Sequence, residues 1–220
     1  MTAIVTDLRR HRGAAPRRAL SRSALLSGLQ FDAVWLERDD PRPDAVLMLS
    51  TGQYLDGGVQ GRLVDFVTGG GRLLLLGRVP CFDLTGAPCT VLADALGVRG
   101  LDFVTEQRQC FPTVTAHDWA APWPQTRVGC LEHLDPGAGT VLLTDHDGVP
   151  CGVEVSAGSG RVVLFAGKFH AGKDPVSLLR AYLAVATDRD GRLALLERQR
   201  AEGLADLSDD IGSQALDRKS

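Results

Sequence analysis

The chain has 220 residues, 44% of them hydrophobic and 23% charged, with a formal net charge of −3. That length suits one well-buried domain or two small ones and falls short of the ~250 residues of a (β/α)₈ glycosidase barrel. The balance excludes disordered and collagen-like chains, argues against a basic nucleic-acid surface, and leaves no apolar run near the ~20 residues of a membrane span.

The start, MTAIVTDLRRHRG, lacks an apolar stretch before a small-residue cleavage site, so a soluble, cytoplasmic protein without a secretion signal is expected. Ala3 to Leu8 reads as a first strand. Arg18 to Gln30 reads as a helix, with Leu25 and Leu29 one turn apart beside Leu26. Phe31 to Leu36 and Asp44 to Leu49 are apolar runs of strand length around the turn-forming DDPRP. In Tyr54 to Val67, Leu55, Val59, Leu63 and Phe66 share a helical face. Gly69-Gly70-Gly71 should end that helix, and Leu73 to Leu76 follows as a fourth strand. Thr90 to Leu96 is a short helix capped by Gly97. Strands and helices alternating in this way predict crossover units on a parallel sheet.

From about 99 to 160 the pattern changes to short runs, Leu101 to Thr105, Thr126 to Leu131 and Thr140 to Leu143, broken by Pro and Gly, which predicts an antiparallel β-rich insertion. His146 to Val149 and Ser156 to Gly160 are turn signals around Cys151 to Val155, with Arg161 to Gly167 as a last strand. Asp174-Pro175 opens a helix carrying Val176, Leu179 and Leu183, which closes an α/β domain at 1–187. Residues 188–220, charged and without apolar periodicity, read as a peripheral helix or tail.

Few residues point to chemistry. Cys81, Cys89, Cys110, Cys130 and Cys151 form no C-x-x-C pair and are odd in number, so reduced thiols are expected. Glu37, Glu106, Glu132, Glu154, Glu197 and Glu202 show no paired constellation for glycosidic acid–base work and read as solvated surface charge. Cys81, beyond a parallel strand, could be a thiol nucleophile with His170 as its base, but Pro80 precedes it and no glycine-flanked elbow surrounds it. Cys130 with His133 and the run Asp145-His146-Asp147 are fragments of a metal pattern, and the latter is better explained as turn chemistry. Gly69-Gly70-Gly71 precedes a strand and cannot be a phosphate loop. Trp119 and Trp123 in HDWAAPWP could stack on a sugar, giving a carbohydrate-binding module as a third reading. No cofactor or metal is expected.

The block from Tyr54 to Leu183, in particular YLDGGVQGRLVDFVTGGGRLLLLGRVPCFDLTGAPCTVLADALGV, AHDWAAPWP and PCGVEVSAGSGRVVLFAG, resembles the domain that follows the catalytic barrel in bacterial β-galactosidases of glycoside hydrolase families 35 and 42. The resemblance implies a class I glutamine amidotransferase-like fold, a flavodoxin-like parallel sheet with attached β-structure. It also implies a role in oligomerisation and in closing a barrel's active site, without hydrolysis of its own. No catalytic glutamate of the family maps onto these residues. In KFHAGKDP, Phe169-His170 is similar to the base element FHPE of true amidotransferases, and Gly77-Arg78-Val79 stands where their nucleophile elbow would carry a cysteine. The expected function is therefore that of a non-catalytic accessory or oligomerisation module, or a remnant of such an enzyme, in β-galactoside metabolism. Its partners would be a glycosidase barrel or another copy of itself, with no nucleic acid or membrane. The alternative is a small thiol hydrolase or amidotransferase using Cys81 and His170.

Overall fold

In a computed structural model, residues 2–5, 31–34, 36, 38–42, 46–113 and 126–167 are described. Helices expected at 18–30 and 174–186, the 188–220 segment, Trp119, Trp123 and His170 lie outside them. The strands are β1 (Thr2–Val5), β2 (Phe31–Val34), β3 (Val46–Thr51), β4 (Arg72–Gly77), β5 (Arg99–Val104), β6 (Arg108–Pro112), β7 (Thr126–Val128), β8 (Leu131–Asp135), β9 (Thr140–Asp145), β10 (Pro150–Ala157) and β11 (Gly160–Phe165). The helices among these residues are α1 (Gly57–Thr68) and α2 (Val91–Leu96). No helix among the described residues is long and apolar enough to cross a membrane.

The class is α/β, and the described residues form a mixed nine-stranded sheet in the order β2-β1-β3-β4-β11-β10-β9-β6-β7. From β2 to β11 all neighbours are parallel; from β11 to β7 all are antiparallel. The β-rich segment is thus not simply attached beside the parallel sheet. Its strands β6, β7, β9 and β10 continue that sheet, while β5 and β8 pair separately as a two-stranded ribbon. The junction is the β10–β11 hairpin, turning where Ser156 to Gly160 was expected to turn.

Burial explains the sequence pattern. Leu73, Leu74 and Leu75 of β4 and Leu47, Met48 and Leu49 of β3 are all buried, because central parallel strands are covered on both faces and need no alternation. Val59, Leu63, Phe66 and Val67 of α1 pack onto this core. The helix begins later than Tyr54. Asp56 is its N-cap, its Oδ1 accepting from Gly58 N at 2.9 Å and Val59 N at 3.2 Å, and Leu55 is buried just ahead of the cap. At the far end the amides of Gly69, Gly70 and Gly71 take up the last carbonyls of the helix. Gly97 caps α2 in the left-handed conformation, as expected. A buried residue with no apolar signature ties the two helices together: Gln60 Nε2 donates to Leu55 O and Cys89 O, and its Oε1 accepts from Leu92 N.

Candidate functional site

In open α/β sheets, ligands gather beyond the carboxyl ends of the parallel strands. Here those ends are Thr51 of β3, Gly77 of β4 and Phe165 of β11. The chain leaves β4 through Gly77 at φ 123°, where a Cβ would collide with the Thr51 carbonyl oxygen, so only glycine permits β3 and β4 to stay this close at the exit. The next residue, Arg78, stands at the turn after the strand. Its Nε is 2.9 Å and its Nη2 2.8 Å from Glu132 Oε1, and Nη1 donates to Gln53 Oε1 at 2.7 Å. The other carboxylate oxygen, Glu132 Oε2, accepts the Val79 backbone N–H at 2.8 Å. Phe103 of β5 covers the guanidinium, 4.4 Å from ring centroid to Arg78 Cζ. Gly100 leaves room for the Glu132 carboxylate to lie directly over the β5 backbone.

Glu132 is therefore not the solvated surface charge expected of it: only 3% of the residue is exposed. It is held by an arginine fork on one carboxylate oxygen and a backbone amide on the other, so both oxygens have partners. The strand LEHLD shows no apolar–polar alternation, and Glu132 and His133 are both buried, on opposite faces of it, while Asp135 is exposed.

Cys81 lies beyond this turn, its amide donating to Gln53 O. Burial and the Glu132 charge push its thiol above the ordinary value, and Arg78 offsets this only in part. An activated nucleophile requires the opposite shift. All five cysteines are free; Cys110 and Cys151 are buried with their sulfurs 3.6 Å apart, which raises the Cys151 thiol further.

A second polar cluster lies on the opposite face of β8. His133 Nδ1 is 3.0 Å from Asp102 Oδ1 on β5, and Nε2 is 2.9 Å from Asp145 Oδ2 at the end of β9. Burial alone would lower the pKa of this imidazole, but the hydrogen bonds to Asp145 and Asp102, with their charges, carry it above its ordinary value. Asp145 is also buried. Burial would raise its carboxyl, yet the His133 contact and the amides of Val149 and Asp147 hold it below the usual range. Those two amides are bound by Asp145 Oδ1, so the run Asp145-His146-Asp147 does form a side-chain-stabilised turn. Its three ligand-type atoms lie within 4.8 Å of one another. The positive charge there is already supplied by Arg108, whose Nη1 is 2.6 Å from Asp147 Oδ2 and 2.8 Å from His146 Nε2. Cys130 does not join His133 in a ligand set among the described residues. Neither cluster was legible as such in the sequence, because each is assembled from residues far apart in the chain.

The family model described as GLMA-like, second domain, matches residues 2–121, more than half of the chain. No curated protein matches it. Among solved structures, the chain is similar to the β-galactosidase of Rahnella sp. R3 (16% identity, TM-score 0.64), covering 84% of this chain and 31% of that one. It is also similar to Gan42B, a GH42 β-galactosidase of G. stearothermophilus (12%, TM-score 0.62; 91% and 29% covered). A cytoplasmic protein of Salmonella typhimurium LT2 shares the fold over 77% of this chain and 87% of its own (18%, TM-score 0.60). The chain thus spans about a third of the length of the β-galactosidases it matches, and at such identities the likeness concerns the fold.

Proposed function

Since the chain belongs to the family of GLMA-like second domains, we propose that it is a non-catalytic, amidotransferase-like accessory module of a glycoside hydrolase. In this reading it packs beside a catalytic barrel or another copy of itself in β-galactoside metabolism. The parallel strand order β2-β1-β3-β4-β11 supports a flavodoxin-like core, since it follows the doubly wound order 2-1-3-4-5. The fold is shared with about a third of each matched β-galactosidase, which supports an origin as one part of such an enzyme. Free cysteines and the likeness to a cytoplasmic protein of Salmonella typhimurium support a reducing, cytoplasmic setting.

One observation carries the non-catalytic reading. In enzymes with a nucleophile elbow, the backbone N–H of the residue after the nucleophile helps to form the oxyanion hole. Here the elbow position is held by Arg78, and the following N–H, that of Val79, is already bound by the Glu132 carboxylate. A fixed negative charge occupies the place where a developing oxyanion would need a donor, and repulsion there opposes acyl chemistry.

The test has two parts. The purified chain should not turn over a chromogenic galactoside, and it should elute with a family 42 barrel deprived of its own second domain, or as an oligomer. Enzyme-like turnover abolished by a Glu→Gln substitution within this chain would overturn the reading. So would rapid labelling of Cys81 by a thiol probe near neutral pH that slows in His170→Ala, since that outcome belongs to the thiol-hydrolase alternative.

A further inference from the structure

We propose that His133 is a proton-operated clasp that ties β5 to β8 and β8 to the β9–β10 turn, so that loss of the Nδ1 proton releases β5 from over the carboxyl ends of the parallel strands.

The geometry fixes the charge state of the closed form. Both ring nitrogens of His133 lie within hydrogen-bond distance of carboxylate oxygens, and a carboxylate can only accept. The ring must therefore donate at both ends, which only imidazolium does. The two carboxylates are not equivalent. The Asp145 side chain is fully buried and fixed by the Asp147 and Val149 amides, whereas the Asp102 side chain is 65% exposed. When one proton leaves, the remaining one stays on Nε2, where the buried Asp145 has no solvent to replace it. Nδ1 is then a lone pair 3.0 Å from an Asp102 oxygen, and the exposed carboxylate can turn to water.

Asp102 sits in the irregular part of β5. The register with β8 slips between Gly100 and Phe103, so the ladder is weakest there. Leu101, beside it, is 63% exposed and contributes little packing. The Asp102–His133 contact thus bridges the stretch of β5 with the least other support. Phe103, the next residue, is the one that covers Arg78, so a loosened β5 uncovers the Arg78–Glu132 pair.

Other charges around the ring are already engaged. Arg108 of β6 faces Asp145 at 3.9 Å and is committed to Asp147, with His146 beside it. Glu106 lies 3.9 Å from Arg108. On β10, which also packs against β8, Glu154 pairs with Arg161, and the Cys151 thiol is held uncharged by Cys110 and burial. Glu132, the neighbour of His133 along β8, points to the other face and to Arg78. Asp102 and Asp145 are thus the groups that set the state of the ring.

The experiment uses the full chain, ¹⁵N-labelled at histidine. Ring nitrogen shifts are followed from pH 5 to pH 9, and amide hydrogen exchange of β5 is measured over the same range against β3 as an internal reference. The expected result is deprotonation at Nδ1 above the ordinary histidine value. With it, β5 amides should lose protection by about tenfold relative to β3, the ratio expected for one charge-assisted hydrogen bond. In Asp102→Asn the side-chain amide can donate to a neutral Nδ1, so the ring should titrate lower and the pH step in β5 exchange should vanish. A ring that stays charged to pH 9, a proton lost from Nε2, or titration without a selective change in β5 overturns the proposal. The wild-type titration decides these outcomes even if the variant does not fold.

Discussion

At the scale of single residues, the Arg78–Glu132 pair shows what a half-pair costs. Removing one member of a buried pair strands the other in a low-dielectric site, so Arg78→Ala should lower stability by about 3–5 kcal/mol in urea denaturation. Replacing both at once, as Arg78→Met with Glu132→Leu, should recover most of that loss, because no uncompensated charge remains. His133 and Asp145 set opposite pH limits on one shared contact. The folded His133 pKa stands above the unfolded value near 6.5, so its contribution is complete below that value and is lost as pH rises through the folded pKa. The folded Asp145 pKa stands below 3.8, so its contribution is present above that value and is lost as pH falls through the folded pKa. Denaturant midpoints across pH should therefore show a plateau with both shoulders, and Asp102→Asn should weaken the alkaline one. None of these pairings was readable in the sequence. Glu132 lies 54 positions from Arg78, and His133 lies 31 from Asp102 and 12 from Asp145, and a lone Glu or His carries no local sign of burial. The turn role of Asp145 was readable, because that chemistry is confined to adjacent residues.

At the scale of elements, local rules did well where the signal was local. The apolar runs of β3 and β4, the stripe of α1 and the Gly97 cap of α2 all lie where periodicity and turn residues put them. β6 and β8 were harder, since RQCFP and LEHLD carry polar residues that the fold buries or pairs. In α1, Leu63 is fully buried, and Leu63→Ala should destabilise by about 2–5 kcal/mol. The glycines of this helix are not alike. A Cβ on Gly61 meets nothing within 4 Å, so Gly61→Ala should stabilise by roughly 0.5–1 kcal/mol. On Gly57 it would sit 3.3 Å from Cys89 Sγ, a contact with the segment before α2. Gly57→Ala should gain less than Gly61→Ala, and guanidinium midpoints of the two variants would order them. Gln60→Ala should lose roughly 1–3 kcal/mol, because the Leu92 amide and two carbonyls lose their partner together.

At the scale of the whole molecule, alternation of strand and helix was enough to read an α/β sheet, but not to foresee that the antiparallel strands would extend it. That continuity depends on β11, whose sequence reads as an ordinary apolar strand and whose neighbours lie almost ninety residues apart at β4 and directly adjacent at β10. β11 is the fifth of nine strands and the last in chain order among those described. A ribosome therefore makes the middle of the sheet after both of its sides. Until residues 160–165 emerge, β4 and β10 each present an unpaired row of amides and carbonyls flanked by leucine and valine, the kind of edge that recruits foreign strands. A chain stopped at Ser159 should accordingly sediment as aggregate or bind a holdase chaperone during translation, whereas the full chain remains in the supernatant. Should the stopped chain stay monomeric and resist protease, the two sides must be able to stand apart, and β11 would be only a late rivet.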